Sequence, residues 1–205
     1  MRPMKVSEPR LLVHACCAPC LCALLGELRG EGAEPTVFFE NPNIHPLLEF
    51  RRRLKACQVL AEREGVPLVA RDAYGLEVFL DAVGGQRAKP ERCRVCYRMR
   101  LDAAARYAAE QGFPRFTSTL LVSPQQDRDA LCELGHAAAG RHGVTFDDTD
   151  RRHLHEQGAE RARRIQLYRQ QYCGCIFSEH ERYRDTAAEL YRGGRDHPAP
   201  GAERQ

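Results

Sequence analysis

Nothing in these 205 residues approaches the run of roughly 20 apolar residues that a bilayer-spanning helix needs, so no membrane span is expected. Nor is a secretory leader expected. The stretch MRPMKVSEPR is positively charged, but only a few apolar residues separate it from His14 and the first cysteines. A cytoplasmic location is therefore expected, where thiols stay reduced. No segment repeats, which sets aside solenoids and propellers. Lysine is scarce. Only three of the 31 basic residues are lysine, and a coding bias toward arginine accounts for that without any RNA partner. Net charge is small at +3, yet the basic residues gather at 51–55, 92–100 and 161–169. Such clusters suit a phosphate backbone or a solvated helix face.

What is present describes a soluble α/β protein. Hydrophobic residues make up 43% and charged residues 29%, enough for one core, and a single domain over 1–192 is expected with a Gly/Pro-rich, disordered tail at 193–205. Leu11 to Val13 reads as a buried strand, followed after the loop 14–19 by a helical pattern through Leu21, Leu24, Leu25 and Leu28. Val37 to Phe39, the loop 41–46 and a helix over 47–64 repeat the unit. Further strands are expected at 66–69, 116–121 and 144–146, and helices at 74–83, 98–110 and 129–139, with a Gly-rich, basic loop before Arg98. From Arg152 the chain reads as helical, broken at 172–175 and resuming after Ser178, with Ser178 as N-cap and Glu181 completing a capping box. Alternating strands and helices predict a parallel sheet flanked by helices, with a ligand site beyond the carboxyl ends of the strands.

Ten cysteines is an unusual number, and seven fall into three groups: Cys16, Cys17 and Cys20; Cys93 and Cys96; Cys173 and Cys175. One Cys-x-x-Cys pair fits zinc, an iron–sulfur cluster or a redox disulfide about equally. Seven thiols exceed the four that a tetrahedral zinc or a cluster takes, so a cluster plus a second site is the economical account. Arg92, Arg94, Arg98, Arg100 and a helix dipole after Cys20 are expected to lower thiol pKa values. Cys22, Cys57 and Cys132 read as core.

In the motifs His14 to Pro19, Asn41 to Pro46, Arg92 to Tyr97, Thr119 to Pro124 and Tyr168 to Glu179, the chain resembles the epoxyqueuosine reductases of the QueH type. The resemblance spans about 11–184. It implies removal of the epoxide oxygen from epoxyqueuosine in tRNA, the last step of queuosine synthesis, by a four-iron cluster beside a single iron ion. It also implies a fold like that of the ATP-pyrophosphatase (adenine-nucleotide alpha-hydrolase) enzymes. There a Ser-Gly-Gly loop binds phosphate; here Cys16 to Cys20 takes its place, so ATP use is not expected. Some members of the family carry aspartate at the third metal-binding position of the first motif, where this chain has Cys20, a departure that bears on the second metal's ligands.

Under that resemblance Cys17, Cys93, Cys96 and one of Cys173 or Cys175 are expected on the cluster, with Cys16, Cys20 and the other late cysteine on the single iron. His14, His45 and Tyr97 are candidate proton donors. Asn41, Asn43, Ser123 and Gln125 are candidate contacts to base or ribose, and Arg52, Arg100 and Arg169 candidate contacts to the tRNA. An external electron donor is required. A cluster-dependent tRNA thiolation enzyme, a zinc-stabilised RNA-binding module and a thiol–disulfide oxidoreductase are the rival readings.

Overall fold

The computed structural model describes residues 9–185; the tail expected to be disordered lies outside them. Five strands form one all-parallel sheet: β1 (Arg10–His14), β2 (Glu34–Phe39), β3 (Leu68–Ala70), β4 (Arg115–Ser118) and β5 (Thr145–Phe146), in the order β3-β2-β1-β4-β5. β1 is central, with Leu12 beside Thr36 of β2 and Phe116 of β4. The connecting helices are α1 (Ala18–Gly30), α2 (Leu47–Glu64), α3 (Leu76–Val83), α4 (Glu91–Glu110) and α5 (Arg128–His142), followed by α6 (His155–Arg164) and α7 (Ile176–Tyr183).

The consecutive apolar residues of β1 and β2 follow from burial on both faces of the sheet. Leu11, Val13, Val37 and Phe39 pack with α1, α2 and Ala162 of α6, whereas Leu12, Phe38 and Phe116 pack with α4 and α5. Because strand side chains alternate, one apolar run supplies both cores. The chain order doubles back at β1, whose neighbours β2 and β4 lead to opposite edges. In open α/β sheets that is where ligands bind.

Several boundaries differ from the expected ones. β4 stops at Ser118, and Thr119–Val122 form a 3-10 turn whose first free amide, Leu120 N, donates to Ser118 Oγ at 3.2 Å. β3 starts only at Leu68, after Pro67. α4 starts at Glu91, seven residues early, so the second part of the expected loop is helix, while residues 84–90 stay outside any helix. Val95 and Cys96 pack with Phe79, Val83 and Cys175 in a small apolar cluster of their own, and that contact holds the first turns of α4. The helical stretch after Arg152 ends at Arg164, and α7 resumes at Ile176 with Cys175 as its N-cap residue. Ser178 lies inside that helix. Its hydroxyl accepts from Gly174 N at 3.1 Å and donates to the Cys175 carbonyl at 2.7 Å.

Candidate metal centre

Each cysteine group occupies a helix N-terminus. Cys17 is the N-cap of α1, directly after central strand β1; Cys93 lies in the first turn of α4; Cys175 is the N-cap of α7. Backbone N–H groups at helix starts carry partial positive charge, which suits thiolates. Six of the seven sulfurs, from Cys16, Cys17, Cys20, Cys93, Cys173 and Cys175, line one cavity of about 690 Å³ beyond the carboxyl ends of the strands. Cys96 lies just behind its wall, 8% exposed.

All ten cysteines are free thiols. The Cys16 and Cys17 sulfurs are 3.9 Å apart, and Thr119 Oγ1 lies 3.3 Å from Cys16 Sγ and accepts from Cys16 N at 3.1 Å. Among the described residues, no three Cys, His, Asp or Glu side chains stand close enough to clasp a metal ion as they are. The donor set nonetheless fits an iron–sulfur group. Thiols dominate the wall, and the buried guanidiniums of Arg53, Arg92 and Arg100 border the same cavity and would offset thiolate charge.

Cys16, Cys17, Cys93 and Cys96 hold their protons more tightly than a free thiol, contrary to the lowering expected from nearby arginines. Burial pushes Cys96 up to about 12 against the partial relief of Arg100. Cys17 stands at about 12: the Cys16 contact favours its thiolate, but hydrogen bonding to Cys20 and burial outweigh it. Burial, followed by the charge of Cys173, raises Cys93. The arginines explain the difference. Arg94 pairs with Glu133 on the outer surface at 2.5 Å, Arg92 pairs with Glu181 at 2.7 Å, Arg98 is exposed, and only Arg100 reaches a sulfur. A metal bound through these four thiols would therefore displace their protons.

Of the other residues singled out by sequence, Tyr97, Arg100, Ser123 and Gln125 line the cavity, while His14, His45, Asn41, Asn43, Arg52 and Arg169 do not. The Tyr97 hydroxyl donates to Gln126 Oε1 at 3.1 Å and accepts from Asp127 N at 3.3 Å. His14 is fully buried. Its Nε2 donates to the Glu40 carbonyl at 3.2 Å, so its Nδ1 accepts from the Ser118 hydroxyl at 2.9 Å. Burial, with Arg100 nearby, lowers it to about 3, and it ties the ends of three strands as a neutral ring. His45 is buried as well and lowered by burial to about 4; its Nδ1 accepts from Ile176 N at 3.3 Å. Asn41 donates to the Ala15 carbonyl at 2.9 Å. Arg52 is exposed, its guanidinium 5.9 Å from the centre of the Tyr168 ring. Cys22 and Cys57 lie in the core as expected, but Cys132 is only half-buried on α5.

Sequence reading missed the inward turn of Arg53, which belongs to a cluster expected to face phosphate. Its signal was available: Glu49, Arg53 and Cys57 share a helix face with buried Phe50 and Leu54. His155 and Gln126 also line the cavity and carried no motif of their own.

The family model described as epoxyqueuosine reductase QueH matches residues 11–181. The chain belongs to the QueH family. Epoxyqueuosine reductase QueH of Dehalococcoides mccartyi is 38% identical over 176 residues, spanning 85% of this chain and 95% of that protein. The proteins of the same name from Histophilus somni and Haemophilus influenzae are 38% and 37% identical, each over 82% of this chain and over 72% and 71% of their own lengths. A solved structure described as a predicted subunit of tRNA methyltransferase from Methanocaldococcus jannaschii overlaps at TM-score 0.48 and 13% identity, over 73% of this chain and 75% of its own, too loosely to bear an argument. The stretch matched to QueH contains all three cysteine groups and every residue that lines the cavity except Arg182.

Proposed function

We propose that this chain reduces epoxyqueuosine in tRNA to queuosine, with Cys16, Cys17, Cys20, Cys93, Cys96, Cys173 and Cys175 holding a four-iron cluster and a neighbouring iron ion. One observation carries the reading: three helix N-termini bring six thiols to a single cavity bordered by buried guanidiniums. When bound, such a group supplies electrons one at a time and a Lewis acid for the departing oxygen. Two electrons and two protons enter; the two C–O bonds of the epoxide break, the alkene forms, and the oxygen leaves as water.

The chain's own residues supply the remainder. Burial raises the Tyr97 phenol, so it keeps its proton at neutral pH and presents a hydroxyl to the cavity. Ser123 and Gln125 offer hydrogen bonds at the mouth, and the base must leave its stack to enter. Exposed Arg52 and Arg169 stand outside the cavity as phosphate contacts. An external donor returns the electrons.

Protein reconstituted anaerobically with iron and sulfide should be brown and, given epoxyqueuosine-containing tRNA and a strong reductant, should yield digested nucleosides lighter by one oxygen. A colourless protein that holds zinc tightly and leaves the nucleoside unchanged overturns the reading.

A further inference from the structure

Cys173 and Cys175 sit on the loop that leads into α7, and what fixes that loop is on α2. Arg53 is 2% exposed and makes three directed contacts: its Nε donates to Glu49 Oε1 at 2.6 Å, its Nη1 to the Cys173 carbonyl at 2.9 Å and its Nη2 to the Tyr172 carbonyl at 2.9 Å. The second oxygen of Glu49 accepts from the Tyr168 hydroxyl, at the start of the same loop. Around this fork the segment before α2 adds further ties. His45 N donates to the Gly174 carbonyl at 2.8 Å, and the Tyr172 hydroxyl donates to the His45 carbonyl at 2.5 Å. Gly174 has φ of +144°, and a Cβ there would lie 3.3 Å from Arg53 Nη1 and 3.4 Å from Asn43 Nδ2, so the loop backbone is pressed against the arginine.

Neutralising Glu49 needs only one edge of the guanidinium. The other edge is spent on two consecutive carbonyls of the cysteine loop, a geometry that a lysine ammonium cannot copy. We infer that Glu49 and Arg53 form a clasp that sets the backbone of residues 172–174 so that Cys173 and Cys175 present sulfur to the cavity. Arg53 is thus a positioning residue for metal loading. This rests on the reading of the two late cysteines as ligands.

The test compares Arg53→Met, Arg53→Lys and the gentler Tyr168→Phe with Arg151→Met. Arg151 is equally buried but paired with Glu27, Glu31 and Asp147, and it does not border the cavity, so it reports what loss of a merely structural arginine does. In full-length metal-free protein, the Gly174 and Ile176 amides of Arg53→Met should exchange at least about tenfold faster, as expected on losing charged hydrogen bonds, while β1 amides are unchanged. On anaerobic reconstitution its iron content should fall to that of a Cys173→Ala/Cys175→Ala double variant. Arg53→Lys should not restore it, Tyr168→Phe should shift exchange in the same direction by less, and Arg151→Met should keep wild-type iron. Wild-type exchange at Gly174 and Ile176 in both Arg53→Met and Tyr168→Phe overturns the clasp, as does equal iron loss in Arg151→Met. Should the double cysteine variant itself keep full iron, the ligand reading fails, and the exchange rates alone then decide whether the clasp exists.

Discussion

Arg100 and Cys96 stand one turn apart on α4, and the guanidinium Nη1 donates to the Cys96 sulfur at 3.7 Å. The arginine is 2% exposed, and its Nε and Nη2 have no partner among the described residues. A buried cation with spare donors at a wall of thiols is arranged to favour negative charge there.

Replacing Arg100 by Leu should leave iron content near wild type, because no ligand is removed, but make the bound group harder to reduce. Visible-absorption redox titration should show a more negative midpoint. Turnover should drop by about a hundredfold, the scale seen when one preorganised charge-stabilising donor is deleted. An unchanged midpoint would rule out an electrostatic role.

Cys93 and Cys132 offer a sharper contrast. Cys93 lines the cavity from the first turn of α4, whereas Cys132 is half-buried on α5, next to Asp148. Cys93→Ala should abolish the visible absorption of reconstituted protein and most of its iron; Cys132→Ala should change neither. Iron assay and spectra of the two purified variants decide it.

Acid should weaken the metal-free protein through His14. The folded protein holds this ring at about 3, below its ordinary 6.5, so the stability it contributes is complete above pH 6.5 and is lost as pH falls from there toward 3. At pH 5 the loss is about 2 kcal/mol by proton linkage. Urea midpoints at pH 7.5 and 5 should show it, and His14→Asn should have a shallower dependence.

Affinity for tRNA should fall with salt, and Arg52→Ala and Arg169→Ala should each reduce the slope of log K against log salt by about one, as for a lost phosphate contact. Both side chains are exposed, so the folded protein should be undisturbed. Binding isotherms at several salt concentrations suffice. Unchanged slopes would move the RNA elsewhere on the surface.

Much of the scaffold was legible from local pattern. The runs at Leu11 to Val13 and Val37 to Phe39 can only be buried strands, and α2 covers the 47–64 that its spacing predicts. Strand-then-helix alternation implies a parallel sheet, because parallel neighbours need a crossover. The grouping of the cysteines was legible as well, and six of the seven meet at one cavity. The start of α4 was not legible: Cys93 to Cys96 resembles a loop motif, and its helical form depends on Val95 and Cys96 meeting Phe79 and Cys175.

The sequence alone determined the period of each element and which thiols are near one another along the chain, because both are set within a few residues. Which side chain faces the cavity was decided by contacts between residues about 100 or more positions apart, as in Arg53 with Cys173 and His14 with Ser118. Arg53 and its neighbour Arg52 are the same residue type in the same helix, yet one is buried against a cysteine loop and the other is exposed. The 3.6-residue period of α2 points them to different faces, and only packing fixes what each face meets.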